Sequence, residues 1–187
     1  MLCFHFFGRE VIMGRRWRFW PLTGFLTAAV LGTLAHFTYR WSGGALLAGV
    51  FCAVNESVWE HMKLLFFPVF LFTAAQFCMG ERDGLLAARA VSVTAGLALI
   101  PTLYYTYTGI WGDHVLWADA AIFYLSAAVT FWLDDLLHRQ RRLWKMEYQV
   151  AGLVWLWVLA FLFVWWTFSP PRIALFRDPL TGLYGIP

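Results

Sequence analysis

The sequence predicts an all-α fold: a polytopic membrane helix bundle of about five transmembrane helices, with a short re-entrant or broken half-helix ahead of its polar motif. Three observations carry that expectation. Of the 187 residues, 61% are hydrophobic and only 13% are charged, whereas a soluble domain carries about 25% charged residues. The apolar residues gather in segments of roughly 20, the length needed to cross a hydrocarbon core of about 30 Å. One further apolar run, 45–54, is too short to cross, because ten residues of helix reach only about 15 Å.

Residues 1–18 carry an aromatic patch and then the basic cluster Arg15, Arg16 and Arg18, so they read as a cytoplasmic N-terminal segment. Met13, followed by Gly-Arg-Arg, is a second candidate start, and His5 is assigned no role. The helical bundle is expected over 19–168. Its first span runs from about Phe19 to Tyr39, and the half-span from Ser42 to Val54. The second full span runs from Ser57 to Met79, where Ser57 and Glu60 fit a capping box and Asn55 is a second candidate cap. Pro68 frees the carbonyl of Leu64 and predicts a kink. The third span covers about Leu85 to Tyr107, with Tyr104, Tyr105 and Tyr107 placed as an interfacial belt. The fourth runs from His114 to Leu137 with Asp119 inside it, and the fifth from Tyr148 to Phe168. Residues 169–187 are proline-rich and read as an irregular tail on the extracytoplasmic side.

Basic residues set the orientation. With the N-terminus in the cytoplasm, ten of the 14 lysines and arginines lie inside: Arg9, Arg15, Arg16, Arg18, Arg82, Arg89, Arg139, Arg141, Arg142 and Lys145. Only Arg40, Arg172 and Arg177 lie outside, a clear positive-inside bias. The expected location is therefore a cell membrane, with the C-terminus extracytoplasmic. The same clusters explain the net charge of +3 without nucleic acid as a partner. Cys3, Cys52 and Cys78 have neither disulfide parity nor metal-ligand spacing and read as packing residues.

The conspicuous stretch is Asn55-Glu56-Ser57-Val58-Trp59-Glu60-His61-Met62-Lys63, a dense polar string between apolar runs. Ionisable groups at membrane depth are costly and are usually functional. On a continuous helix Glu56, Glu60 and Lys63 would share one face. Topology then brings His36, the motif, Asp113, His114 and Asp119 to the same end of the bundle. Plain structural readings stand beside this one. Glu60 and Lys63 make a natural buried ion pair, Asn55 and Ser57 natural caps, and His36, Asp113 and His114 natural interfacial groups. Asp134, Asp135 and His138 are expected to pair with Arg139, Arg141 and Arg142. Glu56 remains, because one carboxylate is enough for Lys63.

The Asn-Glu-Ser-x-Trp-Glu-His-x-Lys string, the upstream His36-Phe37-Thr38-Tyr39-Arg40-Trp41-Ser42-Gly43 and the ending Arg177-Asp178-Pro179-Leu180-Thr181-Gly182-Leu183-Tyr184-Gly185-Ile186-Pro187 resemble a domain-of-unknown-function family. Its members are small multi-pass bacterial membrane proteins, and the likeness is strongest from His36 to Pro68. The resemblance implies a membrane location and no particular activity.

Three classes of function remain open from the sequence. A binding or scaffold protein would use the intramembrane polar site near the outer leaflet for a ligand, lipid or ion. Asn55, His36, Asp119 and Trp59 are the candidate contacts. A metal-dependent hydrolase or transferase acting on a membrane lipid would draw its ligands from His36, His61 and His114, with zinc as the natural ion. Its candidate catalytic residues are Glu56, Glu60, His61 and Lys63. A small transporter would couple a cation or proton to Glu56 and Glu60; with five spans and no internal repeat it would require a homodimer.

Overall fold

The computed structural model describes residues 19–186; Cys3, His5, Met13 and the expected N-terminal segment 1–18 lie outside them. Five helices are long and apolar enough to cross a membrane. They are α1 (Trp20–Trp41), α3 (Val58–Cys78), α4 (Leu85–Trp111), α5 (Leu116–His138) and α6 (Met146–Phe168). The broken half-helix is present as α2, Leu46–Phe51, six residues. Short 3-10 turns at Arg141–Trp144 and Ala174–Phe176 complete the helical structure. Among the described residues there is no strand, only an isolated bridge between Arg177 and Tyr184.

Because lipid tails are as apolar as leucine, contact between spanning helices is held by close packing and polar bonds. The sequence provides both. On α1 the buried residues are Gly24, Ala28 and Gly32, a stripe at four-residue spacing. A Cβ on Gly24 would fall 2.2 Å from the Phe131 ring, and one on Gly32 would fall 2.5 Å from the Phe123 ring. The α5 aromatics therefore seat against bare α1 backbone. Gly96 of α4 admits the Thr130 hydroxyl of α5, and Gly152 of α6 admits the Leu86 carbonyl of α4. This small-residue pattern sets three helix pairs at close distance.

At one end of the bundle, Arg89 is almost wholly buried. Its guanidinium donates two bonds to Asp134, at 3.0 and 2.9 Å, and one each to Thr73 and Gln76. Asp134 was expected to pair with the basic run after α5, but only its neighbour Asp135 does so, with Arg139. Arg89 thus belongs to the bundle interior and drops out of the juxtamembrane charge tally. Four planar donors matched to four acceptors satisfy a buried charge that would otherwise be costly.

The opposite end gathers the C-termini of α1, α4 and α6, the N-termini of α3 and α5, the half-helix α2 and the tail. Its aromatic centre is Trp59, whose ring lies 4.5 Å from Phe163, 5.1 Å from Trp166 and 4.8 Å from Phe176, centroid to centroid. The tail is folded onto this end. Asp178 accepts from the Leu180 N–H and the Thr181 hydroxyl, and Asn55 donates to the Gly185 carbonyl at 2.7 Å.

Candidate functional site

The break between α2 and α3 determines where each motif side chain goes. The chain is extended at Cys52 and again at Ser57, so α3 begins only at Val58 and Glu56 precedes it. The expected common face for Glu56, Glu60 and Lys63 therefore does not form. Both candidate caps are used. The Ser57 hydroxyl accepts the Glu60 N–H at 3.4 Å, and the Asn55 carbonyl oxygen accepts the Ser57 N–H at 2.9 Å. The Glu60 carboxylate does not return to Ser57 as a capping box requires; it accepts the Val54 N–H at 3.1 Å instead.

Glu60 and Lys63 form a buried ion pair at 2.5 Å, with the Lys63 side chain fully enclosed. The ammonium also donates to the Gly49 carbonyl and the Thr167 hydroxyl, both at 2.9 Å. Thr167 lies 3.2 Å from the other Glu60 oxygen. The pair thereby ties α2, the motif, α3 and α6 together, and it has no face on the cavity described next.

Glu56 turns the other way. Its Oε2 lies 3.7 Å from Nε2 of His36 and 3.7 Å from Nε2 of His61, while Arg40 approaches its Oε1 at 3.4 Å. The two imidazole rings stand 5.4 Å apart at 40°. His61 Nδ1 lies 2.9 Å from the Ser57 carbonyl; since a carbonyl only accepts, Nδ1 carries the proton there. When His61 is neutral, its Nε2 lone pair faces the carboxylate. A lone pair and a carboxylate are both acceptors, so at 3.7 Å they make no hydrogen bond and repel unless a positive charge lies between them. One ligand atom from each of His36, Glu56 and His61 lies within 4.8 Å of the others.

These three groups open onto a cavity of about 460 Å³. Its walls come from α1, the motif, α4, α5 and the tail. His114 and Asp119 line the far wall, with His114 Nδ1 3.5 Å from Asp119. Tyr107 donates to the other Asp119 oxygen and accepts the Val115 N–H. The structure thus places His36, Glu56, His61, His114 and Asp119 around one space. It groups His36 and His61 with Glu56, and His114 with Asp119. Asp113 accepts the His114 N–H. Asn55 and Trp59 are committed to the tail and the aromatic centre, beside the cavity and not on it.

Residues 11–186 match the family of unknown function DUF6512. The chain belongs to this family. No curated protein and no solved structure matches it. The DUF6512 match takes in every wall of the cavity as well as the tail, but it brings no activity, so the chemistry has to come from the residues.

Some participants gave little signal in the sequence of this DUF6512 member. In the sequence Arg40 stands as a flanking charge after the first span, yet it meets Glu56. Thr167 sits in an uncharged apolar span, and only the fold delivers it to Lys63. Thr33 of α1 and Tyr124 of α5 lie 91 positions apart and meet hydroxyl to hydroxyl at 2.9 Å on the cavity wall. A hydroxyl on an apolar span is a faint signal, because most such groups bond back to their own helix.

Proposed function

We propose that this DUF6512 member is a multi-pass membrane protein that binds one divalent transition-metal ion through His36, Glu56 and His61, as a metal-dependent hydrolase or transferase would. The observation that carries this reading is the pair of histidine Nε2 atoms facing one Glu56 oxygen, with His61 held from behind by Ser57.

The donor set fits. Ligand atoms on a tetrahedral ion at about 2.0–2.1 Å stand about 3.3 Å apart, so each histidine need approach Glu56 by only a few tenths of an ångström from 3.7 Å, and all three ligand atoms already lie within 4.8 Å of one another. A histidine ligand ordinarily donates its second N–H to a carbonyl or carboxylate, as His61 does to Ser57. Three protein ligands facing a cavity leave a coordination position for water or substrate. An ion held there would polarise a bound oxygen and activate water.

The chain's own groups fill the remaining roles. Arg40 sits beside the carboxylate and favours an anionic substrate group. Asp119 and His114, across the cavity, are placed to accept or return a proton. Glu60 and Lys63 hold the frame. The positive-inside bias, nine inside residues against three once Arg89 is withdrawn, supports a cavity on the extracytoplasmic side. Two histidines and one carboxylate also suit iron(II), so the test must identify the element.

The experiment is elemental analysis of protein purified in detergent without chelator. One zinc, or one iron, per chain is expected, with loss in His36→Ala and His61→Ala. Wild-type protein that stays metal-free after incubation with either ion overturns the reading. So does metal retained in both variants.

A further inference from the structure

The cavity has a side as well as an end, and the side is built from two facing stripes. On α1 they are Thr33, Phe37 and Arg40, and on α5 Leu116, Ala120 and Tyr124; all six line the cavity and all six are exposed. The spacings, four and three residues on α1 and four and four on α5, put each set on one helix face. The helices run antiparallel here, since Gly24 meets Phe131 and Gly32 meets Phe123. The Thr33–Tyr124 hydroxyl pair therefore closes the deep end of a slot whose open end lies at Arg40 and Leu116. Both helices are long and apolar enough to cross a membrane, so the slot faces lipid.

Its depth is informative. Thr33 to Arg40 spans about 10 Å of helix. His36 lies five residues before the end of α1 at Trp41, about 8 Å below it. With the end of α1 at the outer edge of the headgroup layer, that is the depth at which a bilayer passes from hydrocarbon to headgroup, where the ester and phosphate groups of a phospholipid sit. Above, the exposed Arg40 guanidinium has Glu56 as its one described polar contact, which leaves donors in its planar fork for a phosphate. Deeper than His36, the cavity wall is Leu64, Ile100 and Phe123, a surface suited to an alkyl chain. Pro179 and Leu180 of the tail also line the cavity and partly cover its membrane-surface end, which makes the lateral slot the route that suits a lipid.

We infer that the ligand of this cavity is an anionic phospholipid that slides in sideways between α1 and α5, its phosphate toward Arg40 and its glycerol-ester region level with His36 and His61. This names the substrate class for the site proposed above and rests on that reading only for the chemistry, not for the binding.

The test is native mass spectrometry of delipidated protein in detergent, titrated with dioleoylphosphatidylglycerol or with dioleoylphosphatidylcholine, with the metal content of each sample measured alongside. Wild type should retain one phosphatidylglycerol in preference to phosphatidylcholine, and glycerol 3-phosphate, a head without chains, should not displace it. Ala120→Trp, which fills the slot at an exposed position, should lose the bound lipid and keep its metal. Leu153→Trp, on the exposed face of α6, should keep both. Arg40→Gln should bind the two lipids alike. Equal retention of lipid by wild type and Ala120→Trp overturns the lateral slot, as does wild type that retains neither lipid. If the lipid results hold and no sample contains metal, the slot stands and the metal centre falls.

Discussion

Glu56 and Glu60 are four residues apart in one motif, and the fold treats them in opposite ways. Glu60 is buried, paired with Lys63, and bonded through both oxygens to partners on other segments. Glu56 has 28% of its side chain exposed and faces two imidazoles and a guanidinium, none closer than 3.4 Å. A frame is recognised by saturation: every donor and acceptor is at bonding distance, and nothing can be added. A site is recognised by convergence without saturation, with several groups aimed at a space none of them fills. The Arg89–Asp134 cluster at the other end belongs with Glu60 in this comparison. Polar density alone does not separate the two kinds, since all of these residues are ionisable groups in apolar surroundings.

The largest effect is expected where the frame is broken on one side only. Lys63→Met leaves Glu60 buried without its cation, and removing one partner of a buried pair costs about 3–5 kcal/mol. Thermal unfolding in detergent should show this as a clear drop in midpoint. Glu60→Gln combined with Lys63→Met removes both charges and should unfold at a higher temperature than Lys63→Met alone. If the double variant is no better than the single one, the pair's charges are not what holds α2 to α3 and α6.

Much of this architecture can be read from the sequence, and the failures share a cause. The five spans and the short α2 follow from apolar length, a property each segment carries by itself. That Glu60 and Lys63 pair also follows from local spacing. The expectation that Glu56 shares their face assumed an unbroken helix, and the break at Ser57 sends it toward His36. The partner of Asp134 went unread because Arg89 is remote in sequence, while three closer arginines were available as decoys. Thr33 with Tyr124 and Lys63 with Thr167 are likewise pairings made by packing, at separations where no periodicity in the sequence can signal them.

Asn55 lies between the two regimes, since it caps the motif and also holds the tail. Asn55→Ala removes the bond to the Gly185 carbonyl and the cap on the Ser57 N–H. At about 1 kcal/mol for a typical bond, the global midpoint should fall only modestly. The stretch beyond Phe176, which Asn55 holds at Gly185, should respond more, with faster proteolysis after Arg177 by trypsin. Wild-type cleavage rates in the variant would mean that the Arg177–Tyr184 bridge and the Asp178 turn hold the tail without Asn55.

The smallest stability effect belongs to Glu56, and there the comparison is most exposed to refutation. Glu56→Gln removes a carboxylate whose contacts are long and partly solvated, so the chelator-treated protein should unfold within about 0.5 kcal/mol of wild type, as for substitutions away from the core. The separation should come when zinc is added. A ligand that binds only the folded state stabilises it by about 2.7 kcal/mol at a hundred times its dissociation constant, so wild type should gain in midpoint and the variant should gain little. A chelator-treated variant that is already as unstable as Lys63→Met would place Glu56 in the frame with Glu60. An equal response to zinc in both proteins would move the ion to another set of ligands, because a neutral amide is a far weaker partner for a dication than the carboxylate it replaces.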